Sequence, residues 1–250
     1  MQWQDKAFIL GCKAQGERNK IVEVMSATHG RYFGLVRGGN ARSVQPVLQA
    51  GNFVSVEWNA RLEEHLGFFR LEILKNTSAA FIENALSLYG LQLLCAHLRL
   101  LPERMSHKAL YDILELIAFQ CQKPLILAEL LVRFELLLLK ELGVGLDLKS
   151  CVVSGDTENL CYVSPKSGRA VSAKEGEFWK DKLLPLPQFL LSPRRRIESH
   201  KCVEEGFYLT GYFLERYIWR QRGLSRPEIR QSFLQKYFSK TFEFYKQIDG

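Results

Sequence analysis

Apolar and polar residues alternate by twos in the first 75 positions, and recur at three- and four-residue spacing through most of the remaining chain. The first pattern predicts five short strands: AFILGCKA (7–14), KIVEVMSA (20–27), RYFGLVRG (31–38), NFVSVEWN (52–59) and LGFFRLEIL (66–74). Each is rich in β-branched and aromatic residues, and Val54, Val56 and Trp58 show the alternation cleanly. Five short strands of this kind suit a small closed barrel, because closure removes the exposed sheet edges.

The second pattern begins near residue 78. Ser78 is expected to cap a helix running to Leu101, where Pro102 stops it. Ser106 is expected to cap a second helix, HKALYDILELIAFQCQ. Pro124 suits the first turn of a third, ending near Leu142 before Gly143. After an irregular stretch, three prolines in DKLLPLPQFLLSP (181–193) forbid one continuous helix. Residues 198–223 and 225–238 read as two last helices, the former accommodating Gly206 and Gly211 at some cost. The predicted class is therefore α+β: a barrel domain over 1–77, then a mainly helical domain over 78–250 with an irregular lobe at about 150–175.

Charge adds a direction to this outline. The chain carries a formal net charge of +7. Residues 1–75 contribute +3 and residues 192–250 contribute +5, while the middle is close to neutral at −1. An excess of cations at both ends points to an anionic partner. The six cysteines are scattered, and the N-terminus has neither a cationic lead nor a long apolar stretch, so a reducing cytoplasm is expected. The most apolar run, PLILAELLVRFELLLLKEL, is interrupted by Glu129, Arg133, Glu135 and Lys140, which argues for a buried helix and against a membrane span.

Phosphate-loop, dinucleotide, zinc-protease and serine-hydrolase motifs are missing, and the five histidines have no metal-ligand spacing. A binding protein is favoured over an enzyme. In the barrel segment Arg18, Lys20, Arg31, Arg37 and Arg42 are placed to border a groove, with Tyr32, Phe33 or Trp58 as stacking faces for single-stranded nucleic acid. The alternative is that the rings are core and the arginines merely solvated. In the C-terminal part, Arg194, Arg195 and Arg196, with Arg216, Arg220 and Arg222, offer a second basic face. Arg133 stands four residues after Glu129 within an apolar helix. It either closes on that glutamate or borders a groove that receives the carboxylate of an acidic, aromatic peptide. A rival reading is an adaptor that binds only proteins and whose basic charge is incidental.

In this order, AFIL, ERNKIVEV, THGRYFGLVRGG, LQAGNFVSVEW, VRFELLLLKELGVGLDLKSC and LLPLPQFLL resemble the RecO family of bacterial recombination mediator proteins nearly end to end. The resemblance implies an N-terminal OB-fold barrel on a helical domain, and a cytoplasmic, nucleoid-associated protein. It implies binding to single- and double-stranded DNA and annealing of complementary strands. It also implies partnership with RecR, docking on the acidic C-terminal tail of single-stranded DNA-binding protein (SSB), and indirectly the loading of RecA. Arg133 is the residue expected to meet that tail.

Many members of the family carry two cysteine pairs that hold zinc after the RFEL helix. Here Cys151 keeps the first position, Ser154 occupies the second, and SGRAVSA (167–173) replaces the second pair. Structural zinc needs four ligands. No zinc or other cofactor is expected, and 151–172 is predicted to be a metal-free hairpin lobe, a degenerate zinc-ribbon-like element. Val152, Val153, Tyr162 and Val163 are expected to pack it on the helical domain.

Overall fold

The computed structural model describes residues 1–197 and 199–248, with side chains through Ser239. The chain groups into two compact units. The first is Met1–Leu127 with Ile229–Tyr237, and the second is Ala128–Glu228 with the end of the last helix.

In the first unit, strands β1 (Gln2–Gln15), β2 (Asn19–Ser26), β3 (Gly30–Val36), β4 (Phe53–Asn59) and β5 (Phe68–Lys75) form a closed barrel in the order β1-β2-β3-β5-β4. This is the five-stranded OB-type barrel. All neighbours are antiparallel except β3 and β5, which run parallel and meet at Leu35 and Phe68. β1 is longer than the sequence pattern predicts, because one strand serves two neighbours. Its first half, from Gln2 to Phe8, pairs with β4, and its second half pairs with β2 across an irregularity between Ile9 and Gly11. The polar run QWQDK carries little hydrophobic signal, so only this pairing marks it as strand.

Alternation decides what fills the barrel. Inward positions of β2 supply Val22 and Val24, β3 supplies Tyr32 and Val36, β4 supplies Val54, Val56 and Trp58, and β5 supplies Phe69. Tyr32 is 3% exposed and Trp58 is 1% exposed. The sequence offers both as stacking faces. They are core instead, since odd and even positions of a strand face opposite sides. The indole N–H of Trp58 is satisfied by the Leu66 carbonyl at 3.0 Å.

The helix expected over 78–101 is two: α1 (Ser78–Ile82) and α2 (Ala85–Leu98). Asn84 breaks it. Its backbone is extended, and its side-chain oxygen accepts the N–H of Ser87 at 2.9 Å, which starts a fresh N-terminus. Ser78 is not a cap but the first helical residue, its N–H donated to Asn52 Oδ1. α3 (Lys108–Gln120) likewise begins without a side-chain cap from Ser106.

α4 (Pro124–Glu141) leads into the second unit. There β6 (Leu160–Val163), β7 (Ala170–Ser172) and, after the short α5 (Ala173–Gly176) and a 3-10 turn, β8 (Leu184–Pro185) form a small antiparallel sheet ordered β7-β6-β8. The lobe is thus three-stranded rather than a hairpin. Of its four expected packing residues, Val163 is fully buried but Val153 is 66% exposed, because Val153 lies in the turn after Cys151. The proline-rich stretch ends in a 3-10 turn, Gln188–Leu191.

α6 (His200–Leu214) is capped by Ser199 and continues as a π turn, Glu215–Trp219. Gly206 has a packing reason. A Cβ there would sit 2.8 Å from Val132 Cγ1 and 3.3 Å from the Phe189 ring, so only glycine lets α6 approach α4. At the same contact, Thr210 donates to the fully buried Glu135 at 2.5 Å. α7 (Glu228–Ile248) is longer than the helix predicted over 225–238. Among the described residues no helix is long and apolar enough to cross a membrane.

Candidate nucleic-acid interface

One end of the barrel gathers four of the five predicted barrel cations. β3 ends at Val36, and the chain turns through Gly38, whose φ of +64° favours glycine. Asn19 Oδ1 accepts the Gly38 N–H at 3.2 Å, Asn40 donates to the Glu17 carbonyl at 2.6 Å, and Asn40 N–H reaches the Arg18 carbonyl. The β1–β2 turn and the GGN segment are therefore laced together. A Cβ on Gly39 would lie 2.9 Å from Lys20 Cβ, so the two backbones approach as closely as glycine permits. This lacing brings Arg18, Lys20, Arg37 and Arg42 to the same end, with the three arginines exposed and Lys20 half-buried.

Beside them is a groove of about 450 Å³ whose lining includes Leu35, Arg37, Val44, Asn59, Phe68 and Arg70. Arg37 lies over the Phe68 ring, 4.3 Å from its centroid. It makes no hydrogen bond or ion pair through its side chain among the described residues. Phe68 is 42% exposed although it is a large apolar residue on a strand. Arg70 projects on the same face and makes a solvated ion pair with Glu72 at 3.5 Å. Sequence reasoning missed Phe68, Arg70 and Asn59. The signal was present in FFRLE: of two adjacent aromatics in a strand only one faces the core, and here it is Phe69.

Arg31 has a different fate. It points out of the barrel, but that part of the outer face is covered by the segment after α2. Arg104 N–H donates to the Arg31 carbonyl, and Arg31 Nε donates to the Leu101 carbonyl at 3.2 Å. Arg31 Nη1 and Arg99 Nε each lie 2.8 Å from a different oxygen of Glu23. The Arg31 side chain is 12% exposed and that of Glu23 is 8%. Its charge is spent inside the protein, so it does not join the other four.

In the second unit Arg133 closes on the glutamate one helical turn before it. Its Nε donates to Glu129 Oε1 at 2.9 Å, and the guanidinium lies 5.3 Å from the centroid of the Phe189 ring. Arg194, Arg195 and Arg196 are exposed, and Arg195 donates to Gln188 Oε1 at 2.5 Å. Arg220 and Arg222 are exposed too. Arg220, with Arg226, is paired to Glu215 and holds that carboxyl below its ordinary range.

Two family models cover nearly the whole chain: the N-terminal domain of recombination protein O matches residues 1–77 and its C-terminal domain matches residues 83–226. The DNA repair protein RecO of Bartonella henselae is 51% identical over 94% of this chain and 92% of its own. Those of Brucella abortus and of a Chelativorans strain are 49% and 47% identical over the same share of this chain, covering 95% and 94% of theirs. The chain belongs to the RecO family.

The lobe holds two cysteines, Cys151 and Cys161. Cys151 is buried, and Ser172 N–H donates to its sulfur at 3.3 Å. Burial pushes its thiol up, while hydrogen bonding at the sulfur, that of the Ser172 N–H included, brings it down. Ser154 turns its hydroxyl to Asp156 at 2.7 Å. Among the described residues no group of three or more His, Cys, Asp or Glu is placed to hold a metal ion. Hydrogen-bond donors around one sulfur do here what a cation does in a thiolate site, namely favour the anion.

Proposed function

We propose that the protein is a non-enzymatic recombination mediator that binds single- and double-stranded DNA and anneals complementary strands. The observation that carries this reading is Arg37, without an ion-pair partner among the described residues, over the exposed Phe68 at the mouth of the barrel groove. Arg18, Lys20, Arg37 and Arg42 follow the phosphates, and Phe68 stacks on a base. Neither contact depends on sequence, as annealing of arbitrary strands requires. Arg194, Arg195, Arg196, Arg220 and Arg222 add a second cationic face, of which Arg220 is the weakest contributor because Glu215 already neutralises it.

In the same reading Arg133 receives the C-terminal carboxylate of the SSB tail, with Phe189 beside it. Engagement of SSB and RecR brings the protein to gaps, where it helps RecA to load. The role needs no zinc, and the lobe stands on its own hydrogen bonds. Titration of a labelled single-stranded oligonucleotide against salt tests the reading. The logarithm of affinity should fall with the logarithm of salt by about 0.7 per phosphate contact. An adaptor for proteins alone would show no such slope, and that result would sink the DNA assignment.

A further inference from the structure

Arg133 is gripped from two sides. Along its own helix Glu129 Oε1 takes Nε and Nη2, both at 2.9 Å. From outside, the turn Ser192–Arg195 presents two backbone carbonyls. The Ser192 oxygen is 3.5 Å from Nη1 and 3.4 Å from Nη2, and the Arg195 oxygen is 2.9 Å from Nη2. Pro193 is the second residue of this turn, which closes through Arg195 N–H to the Ser192 carbonyl at 3.2 Å. Arg194 N–H adds a bond to the Ser192 hydroxyl at 3.2 Å. The Arg195 side chain fastens the turn to Gln188.

The two grips differ in strength. Glu129 is a carboxylate that is 7% exposed, so its bond to Arg133 joins two opposite charges in a sheltered place. The outer carbonyls are neutral, and two of their three contacts sit at the long end of hydrogen-bond range. The turn also carries Arg194, Arg195 and Arg196, all three exposed. A carboxylate arriving at the outer edge of Arg133 brings a full negative charge that a carbonyl lacks, together with the planar geometry that suits a guanidinium, and so competes for the same N–H groups.

We infer that Ser192–Arg196 is a strap over Arg133 that an incoming C-terminal carboxylate displaces, freeing Arg194, Arg195 and Arg196 for the DNA backbone. The inference rests on the reading of Arg133 as the SSB-tail site. Glu129 stays in place throughout and keeps the guanidinium oriented. The coupling is reciprocal: DNA that draws the three arginines away uncovers Arg133 and tightens the peptide.

The test uses the full chain, an oligo-aspartate peptide ending in phenylalanine with a free carboxylate, and the same peptide as its C-terminal amide. With the free acid bound, hydrogen exchange at the amides of residues 194–197 should rise several-fold; the amide analogue should leave it unchanged. Pro193→Gly loosens the turn without altering charge. It should bind the acid about two- to fivefold tighter, since less of the protein is held in the closed form. Suppose instead that exchange and Pro193→Gly affinity stay at wild-type values while binding still depends on Arg133. The strap is then overturned and the docking site stands. Peptide binding indifferent to Arg133→Ala removes the docking site itself, and the strap with it.

Discussion

The two units each place an arginine over a phenylalanine, and the pair means something different in each. In the barrel Arg37 lies 4.3 Å from the Phe68 centroid, with no carboxylate or carbonyl bound to it among the described residues. In the second unit Arg133 lies 5.3 Å from the Phe189 centroid, but Glu129 and two backbone carbonyls already fill its donors. The first arrangement is open: a phosphate meets it at no cost beyond desolvation. The second is closed, and a ligand has to replace something. Arg31, six residues before Arg37, is a third case in which an internal carboxylate takes the charge altogether. The availability of a cation is set by which acceptors the fold brings to it, rather than by its being an arginine on a basic segment.

The sharpest way to break this contrast is at Glu23. Glu23→Ala leaves Arg31 and Arg99 facing each other without their shared carboxylate. Stability should fall by about 3 kcal/mol, the low end for a broken buried pair because Arg99 is half exposed and Arg31 keeps Glu103 at 3.7 Å, as read from the midpoint of urea unfolding. Arg31→Ala is expected to lose stability in the same direction while the folded fraction binds oligonucleotide as before. If Arg31→Ala were fully stable yet weak in DNA binding, Arg31 and Arg37 would have to be treated alike.

Next in size is Arg133. Arg133→Ala should weaken binding of an acidic peptide with a C-terminal phenylalanine carboxylate by about tenfold or more, on the order of 1.5–3 kcal/mol for a charge-assisted bond. Calorimetry on the two proteins reads this directly, and equal affinities would empty the closed site of function.

Phe68→Ala probes the open site. A stacked base contributes about 1–3 kcal/mol, so single-strand affinity should drop by at least fivefold at constant salt. Because Phe68 is 42% exposed, unfolding midpoints should barely move. A variant with normal DNA affinity would reduce the ring to a platform for Arg37 alone.

The smallest effect is expected from Arg37→Ala. Loss of one phosphate contact should flatten the salt dependence by about one contact's worth, with a modest loss of affinity near physiological salt. An unchanged slope would show that Arg37 stays on its phenylalanine and never reaches a phosphate.

Much of this molecule was legible along the chain. The five strands, the switch to helical spacing near residue 78, and the turns in the lobe all come from local rules of alternation, periodicity and turn chemistry, which act over a few residues. Legibility failed where a residue's role depends on a distant one. Tyr32 and Trp58 alternate correctly, yet only barrel closure tells which face is inside. The polar start of β1 is a strand because β4 returns to it some fifty residues later. The helix over 78–101 breaks because Asn84 competes for the backbone as a cap, a choice that helical spacing does not show.

For the candidate site the division is the same. The sequence by itself determined which cations exist, that they cluster toward the two ends, and that Glu129 stands one helical turn before Arg133. Only the tertiary structure decided that Arg31 is spent on Glu23, that Arg37 finds Phe68 from another strand, and that a turn some sixty residues away lies on Arg133. Local pattern comes from the geometry of a single helix or strand. Which charges are compensated depends on contacts between elements, and those exist only once the chain has folded.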